Sequence, residues 1–133
     1  MSLSPPHIQV VCAVIEHDGL ILATQRSSSM SLPLKWEFPG GKLEAGESLQ
    51  ECLARELWEE LGITVRVGQA LPSVTHHYPA VTVTLHPFHC DQISVEPILH
   101  EHQAACWLPP QRLRELDWAE ADWPIIETLT RTS

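Results

Sequence analysis

The sequence predicts a mixed α/β fold, a sheet held between helices, and three observations carry that expectation. Short apolar runs recur at residues 8–15, 20–25, 81–89 and 104–108, the first of them rich in β-branched residues. The segment from Ser48 to Gly62 has both ends of a helix written into it. A second segment, residues 123–130, carries Pro124 where a helix tolerates proline, in its first turn. The 133 residues contain no linker, internal repeat or low-complexity stretch, so one domain spanning 1–133 is expected.

The elements follow in chain order. Residues 8–15 read as a buried strand, Asp18-Gly19 as a hairpin turn, and 20–25 as the returning strand. Residues 27–34 are a polar, serine-rich loop suited to the mouth of a site. In the loop Phe38-Pro39-Gly40-Gly41-Lys42, paired glycines permit a tight path that can turn a carbonyl toward an ion. Ser48 with Glu51 forms a capping-box signature, and Gly62 stops the helix they open. Between them Leu53, Leu57 and Leu61 share the face that must be buried. Residues 64–67 are short and extended; 70–77 and 81–89 form a pair of strands, the second alternating Val81, Val83, Leu85. Residues 104–108 are a further strand ended by Pro109-Pro110, 111–116 a short helical turn, and 123–130 the closing helix.

The chemistry is concentrated in residues 41–63, GKLEAGESLQECLARELWEELGI. Gly41 is followed after five residues by Glu47, and after seven more by Arg55-Glu56-Leu57. One residue later come Glu59-Glu60, and one after that Gly62-Ile63. Each fixed residue type occurs by chance at roughly 5–7% of positions, so seven together have a probability on the order of 10⁻⁹ per window. Glu56, Glu59 and Glu60 occupy an arc of roughly 100° on the helix. Like charges at that spacing repel by about 0.2–0.5 kcal/mol per pair. A pair of glutamates on a helix is ordinarily a solvated acidic face. Within the full pattern the crowding instead asks for a cation. Oxygen ligands with no Cys or His on the arc select Mg²⁺, with Mn²⁺ as a substitute, over Zn²⁺.

This spacing resembles the Nudix box. The flanking segments IQVVCAVIEHDGLILATQR, KWEFPGGKLEAGES, HEHQAACWLPP and ADWPIIETL are similar to the MutT-like branch, including bacterial CTP pyrophosphohydrolases and 8-oxo-dGTP diphosphatases. The resemblance covers nearly the whole chain and implies an α/β/α sandwich with a mixed sheet. It implies metal-dependent cleavage of a (deoxy)nucleoside triphosphate to the monophosphate and pyrophosphate. Its cation ligands would be the Gly40 carbonyl, Glu56, Glu59, Glu60 and Glu101, the last also a candidate general base. Glu47 would belong to the catalytic metal site, and Arg55 would hold a cluster carboxylate by a charge-assisted bond. Lys42 would sit near the phosphates and Arg26 would face the nucleotide.

Asp122 matches a position that contacts the base in this branch, often through Asn. An ionised carboxylate only accepts hydrogen bonds, whereas an amide also donates. Asp ahead of Trp-Pro is equally a helix N-cap, and the two uses are compatible. Trp36, Phe38 and Tyr78 are candidates to stack on the base, although aromatics at such positions also serve as core. In an extended chain His100 and His102 point away from Glu101, and a zinc site built on them lacks a third ligand nearby in sequence. ADP-ribose or another nucleoside diphosphate derivative is the alternative substrate. A catalytically silent ligand-sensor domain is the alternative role; such domains typically lose box carboxylates, which this chain retains.

Composition narrows the partners. With 44% hydrophobic and 19% charged residues the chain is globular. A formal net charge of −9 disfavours a nucleic acid polymer as partner and leaves an anionic small molecule to be received locally. Only eight Lys and Arg are present, so Arg26, Lys35, Lys42 and Arg55 near the motif matter. Cys12, Cys52, Cys90 and Cys106 show no paired spacing and read as reduced thiols of a cytoplasmic protein. No apolar run reaches membrane-spanning length, and the opening MSLSPPHIQV lacks the features of a secretion signal. A monomer or weak homodimer without membrane contact is expected.

Overall fold

A computed structural model describes residues 5–131. The ends of the expected 1–133 domain, and the first four residues of the opening read for a secretion signal, lie outside the described residues. The strands are β1 (His7–His17), β2 (Leu20–Gln25), β3 (Trp36–Glu37), β4 (Gly40–Lys42), β5 (Arg66–Ala70), β6 (Val74–His77), β7 (Thr82–Asp91) and β8 (Ala104–Leu108). Helix α1 is Leu49–Leu61 and α2 is Trp123–Thr130, with short, tightly wound helices at Pro110–Glu115 and Glu120–Asp122. No helix among the described residues is long and apolar enough to cross a membrane.

The sheet is mixed and is organised by β1, in the order β3-β2-β1-β7-β5. β1 runs parallel to β7 from His7 opposite Thr82 to Ile15 opposite Cys90. It turns back into β2 through Asp18 and Gly19, whose φ values of 52° and 78° are those that the tight hairpin requires. β4 pairs with β1, β6 with β7 and β8 with β2.

Residues 11–15 are buried without interruption because both faces of β1 are covered. Val11, Ala13 and Ile15 pack with Cys52, Leu53, Leu57 and Leu61 of α1. Cys12 and Val14 join the opposite core, with Trp118, Ile125 and Ile126. Strand alternation distributes one apolar run between two layers.

The α1 boundaries match their chemical signals. Ser48 Oγ accepts the Glu51 N–H at 3.1 Å, and the Glu51 carboxylate accepts the Ser48 N–H at 2.8 Å. Gly62 closes the helix in the left-handed conformation at φ 66°. Three expectations are corrected. The run 70–77 is not one strand: β5 ends at Ala70 after an irregularity against β7, and β6 begins at Val74. Residues 40–42, read within a loop, are a strand, and residues 36–37 form another, because β1 and β2 supply antiparallel partners. Asp122 stands at the start of α2 in helical geometry, φ −84° and ψ −19°, and its side chain makes no capping bond.

Candidate active site

β4 lies against β1 and close to α1, and glycine makes that approach possible. A side chain on Gly40 would collide with the Val11 backbone carbonyl, and one on Gly41 with the Glu56 carboxyl group. Glu56 therefore rests in the space where Gly41 has no Cβ. Gly40, Gly41, Lys42, Glu56, Glu60 and Glu101 line one cleft of about 1040 Å³. The same cleft is lined by Arg26, Glu37, Phe38, Tyr78 and Asp122, and by apolar side chains of β1 and β7, Ile8, Val10, Val83 and Leu85.

Arg55 organises the box from outside the cleft. Its Nε donates to Glu47 Oε2 at 2.7 Å and its Nη2 to Glu47 Oε1 at 3.0 Å, a two-point grip. Nη1 reaches Glu56 at 2.9 Å and Glu59 at 3.2 Å. The Arg55 hydrogen bond, followed by one from the Glu44 backbone, lowers the Glu47 carboxyl to about 2. Glu60 moves the other way. Burial first, then the hydrogen bond and charge of Glu56, with Glu37 and Glu101 beyond, push it up to about 9.

Those opposite shifts bear on the cation. Glu56, Glu60 and Glu101 line one cleft with Gly40 and Gly41 and would offer a cation oxygen donors only, and a buried carboxyl holding a proton against three like charges is where a divalent cation would be favourable. The residues fit a hard cation such as Mg²⁺. Among the described residues, however, no three metal-binding side chains stand together ready to hold an ion. Glu59 departs from the expected set: it does not line the cleft, and its half-exposed carboxylate is held by Arg55.

The nucleotide side also differs from expectation. Trp36 does not line the cleft; its backbone joins residues 117–119 and its ring packs into the α2-side core. Phe38 is 3% exposed with its ring centroid 4.7 Å from that of Trp118, so it is mainly core. Tyr78 is half-buried, and its hydroxyl accepts the Ala121 N–H at 3.0 Å. Asp122 is buried and carries a proton far more readily than a free carboxyl. Burial is the first cause and the Glu37 charge the second, against a Phe38 backbone bond that favours ionisation.

Two residues were not assigned to this site from sequence. Glu37 lies between the two aromatics that drew attention and accepts from Arg26 Nη1 at 2.7 Å. His102, read as a conceivable zinc ligand, instead meets Glu37 Oε2 through Nε2 at 2.8 Å, while His100 is exposed. The one available signal is the place of His102 next to Glu101, which lines the cleft.

A profile of the NUDIX domain matches residues 5–129. The chain belongs to the Nudix family. A CTP pyrophosphohydrolase of Escherichia coli (strain K12) is 40% identical to this Nudix chain over 120 residues, covering 90% of it and 89% of the relative. An 8-oxo-dGTP diphosphatase of the same organism is 30% identical over 125 residues, with 93% and 97% covered. The crystal structure of the MutT protein from Methanosarcina mazei Go1 matches the Nudix fold seen here with a TM-score of 0.89 at 30% identity, covering 98% and 97% of the two chains.

Proposed function

We propose that this Nudix chain is a Mg²⁺-dependent pyrophosphohydrolase that cuts a (deoxy)nucleoside triphosphate to the monophosphate and pyrophosphate. The observation that carries the reading is one cleft in which the Gly40-Gly41 turn, Glu56, Glu60 and Glu101 meet an apolar wall, with Arg26 and Asp122 among its lining. The Gly40 carbonyl, Glu56, Glu60 and Glu101 would hold the cation, with Glu59 joining once it leaves Arg55. A bound Mg²⁺ would supply charge neutralisation of the phosphates and a more acidic attacking water.

The chain's own residues supply the rest. Arg55 fixes Glu47 and Glu56 in place, so that their geometry is set before substrate arrives. Lys42 offers a point charge to the phosphates. The apolar side chains of β1 and β7 receive the base and exclude water. Asp122, buried beside Glu37, is placed to present a protonated carboxyl that both donates and accepts, as an amide would. The relatives' names, a CTP pyrophosphohydrolase and an 8-oxo-dGTP diphosphatase, support a base read by such a group.

The test is product analysis with Mg²⁺ over 8-oxo-dGTP, dGTP, CTP, 5-methyl-dCTP and ADP-ribose, reading pyrophosphate and a nucleoside monophosphate from the triphosphates and AMP with ribose 5-phosphate from ADP-ribose. Turnover of a triphosphate with pyrophosphate as product is expected. Turnover of ADP-ribose alone, or of nothing, overturns the reading.

A further inference from the structure

His102 follows Glu101 in sequence, and its side chain is wholly buried. Its Nε2 lies 2.8 Å from one oxygen of Glu37, whose other oxygen accepts from Arg26 at 2.7 Å. A carboxylate only accepts, so the proton in the first bond belongs to Nε2. On the other edge of the ring, Nδ1 stands 3.7 Å from Glu60 Oε2 and makes no hydrogen bond. Buried polar atoms are almost always bonded. One aimed at a carboxylate from just beyond bonding distance marks a contact that a small movement of that carboxylate completes. Arg26, Glu37, His102 and Glu60 thus form a continuous line from the loop side of the cleft to its carboxylate side.

We propose that His102 is a positioning residue that joins these two sides. Through Nε2 it fixes Glu37 and hence Arg26 for the nucleotide; its Nδ1, the ring's acceptor, receives the hydrogen bond of the protonated Glu60 carboxyl and so aims that side chain at the place where a divalent cation would displace the proton. Partners of metal-ligating carboxylates commonly set metal affinity in this way. The inference rests on the reading of Glu60 as a cation ligand.

Two amide substitutions separate the contacts. Asn at this position places its amide near the ring's Nδ1, and Gln places its amide near Nε2. Mn²⁺ binding is measured by calorimetry without nucleotide, KM at saturating Mg²⁺, and Tm for each variant. His102→Gln is expected to weaken Mn²⁺ binding by about 10-fold or more, as loss of such a partner does, with KM near wild type. His102→Asn is expected to raise KM while leaving Mn²⁺ affinity near wild type. Should one amide variant fail to fold, the other decides together with His102→Leu, which must show both losses.

Equal losses of both quantities in the two amide variants, or no change in either, reduce His102 to packing and overturn the proposal. Glu60→Gln is the control for the underlying reading. If it binds Mn²⁺ like wild type, the cation assignment fails first and the proposal fails with it, whatever His102 does.

Discussion

Glu56 lies in the space that a side chain on Gly41 would fill. That relationship ties the glycine of the box to its first helical glutamate, and it predicts different results at neighbouring glycines. Gly41→Ala meets a flexible carboxylate that can swing aside. The fold is expected to survive while kcat falls about 10²-fold, the scale of losing one preorganised group. Gly40→Ala meets the Val11 backbone, which cannot swing. A stability loss of about 1–3 kcal/mol, typical of overpacking, is expected there. Thermal unfolding beside steady-state kinetics distinguishes the pair, and equal Tm losses would contradict the account.

Glu60 sets a pH dependence in the metal-free protein. Its carboxyl is raised from 4.5 to about 9 in the fold, so the native state holds the proton more tightly than the unfolded chain. The stability this contributes is fully present below pH 4.5 and is lost as pH rises through about 9. With EDTA present, Tm should fall across that window in wild type and more gently in Glu60→Gln. The same variant is expected to lower kcat by at least ~10²-fold. Mg²⁺ binding near neutral pH should release a proton, seen as a dependence of binding enthalpy on the buffer used.

The Arg55–Glu47 pair predicts the acid limb. Glu47 is depressed from 4.5 to about 2, so its contribution is present above 4.5 and lost as pH falls through 2. Arg55→Lys keeps the charge but loses the two-point grip. Its Tm should sit below wild type at pH 6 and converge with it as pH falls through about 2, where Glu47 takes up its proton in wild type as well. A constant gap across that range would show that the arginine's packing, not its hold on Glu47, was being measured.

Asp122 predicts base choice. Burial and the Glu37 charge favour its protonated form, which shows the base the same donor and acceptor pattern as Asn. Asp122→Asn should therefore keep the wild-type substrate ranking at the acidic end of the range, where Asp122 holds its proton, and the two should diverge as pH rises. Asp122→Ala removes the partner altogether, at about 1–3 kcal/mol, which changes discrimination about 5- to 150-fold. Since the side chain caps no helix, Asp122→Asn should leave Tm unchanged. Competition assays over a pH series read this directly; an unchanged ranking in Asp122→Ala would remove the residue from base recognition.

The sequence by itself determined the elements whose signals are local. Ser48, Glu51 and Gly62 bound α1 within hydrogen-bonding reach of one another, so its limits and its buried leucine face needed no other part of the chain. The bounds of β8 and α2 followed likewise from Pro109-Pro110 and Pro124. The spacing of the box placed Glu56 and Glu60 on one arc of that helix. Tertiary structure decided what depends on partners distant in sequence. β3 and β4 exist because β2 and β1 offer open edges, a fact that two- and three-residue segments cannot carry. Pairing of 117–119 with Trp36 drew that ring into the core, and Arg55 drew Glu59 out of the cleft. Glu37 and His102, 65 positions apart, met only because β3 and β8 flank β2. Periodicity reports which way a side chain points; what it meets there is settled by strands that the pattern of its own segment does not encode.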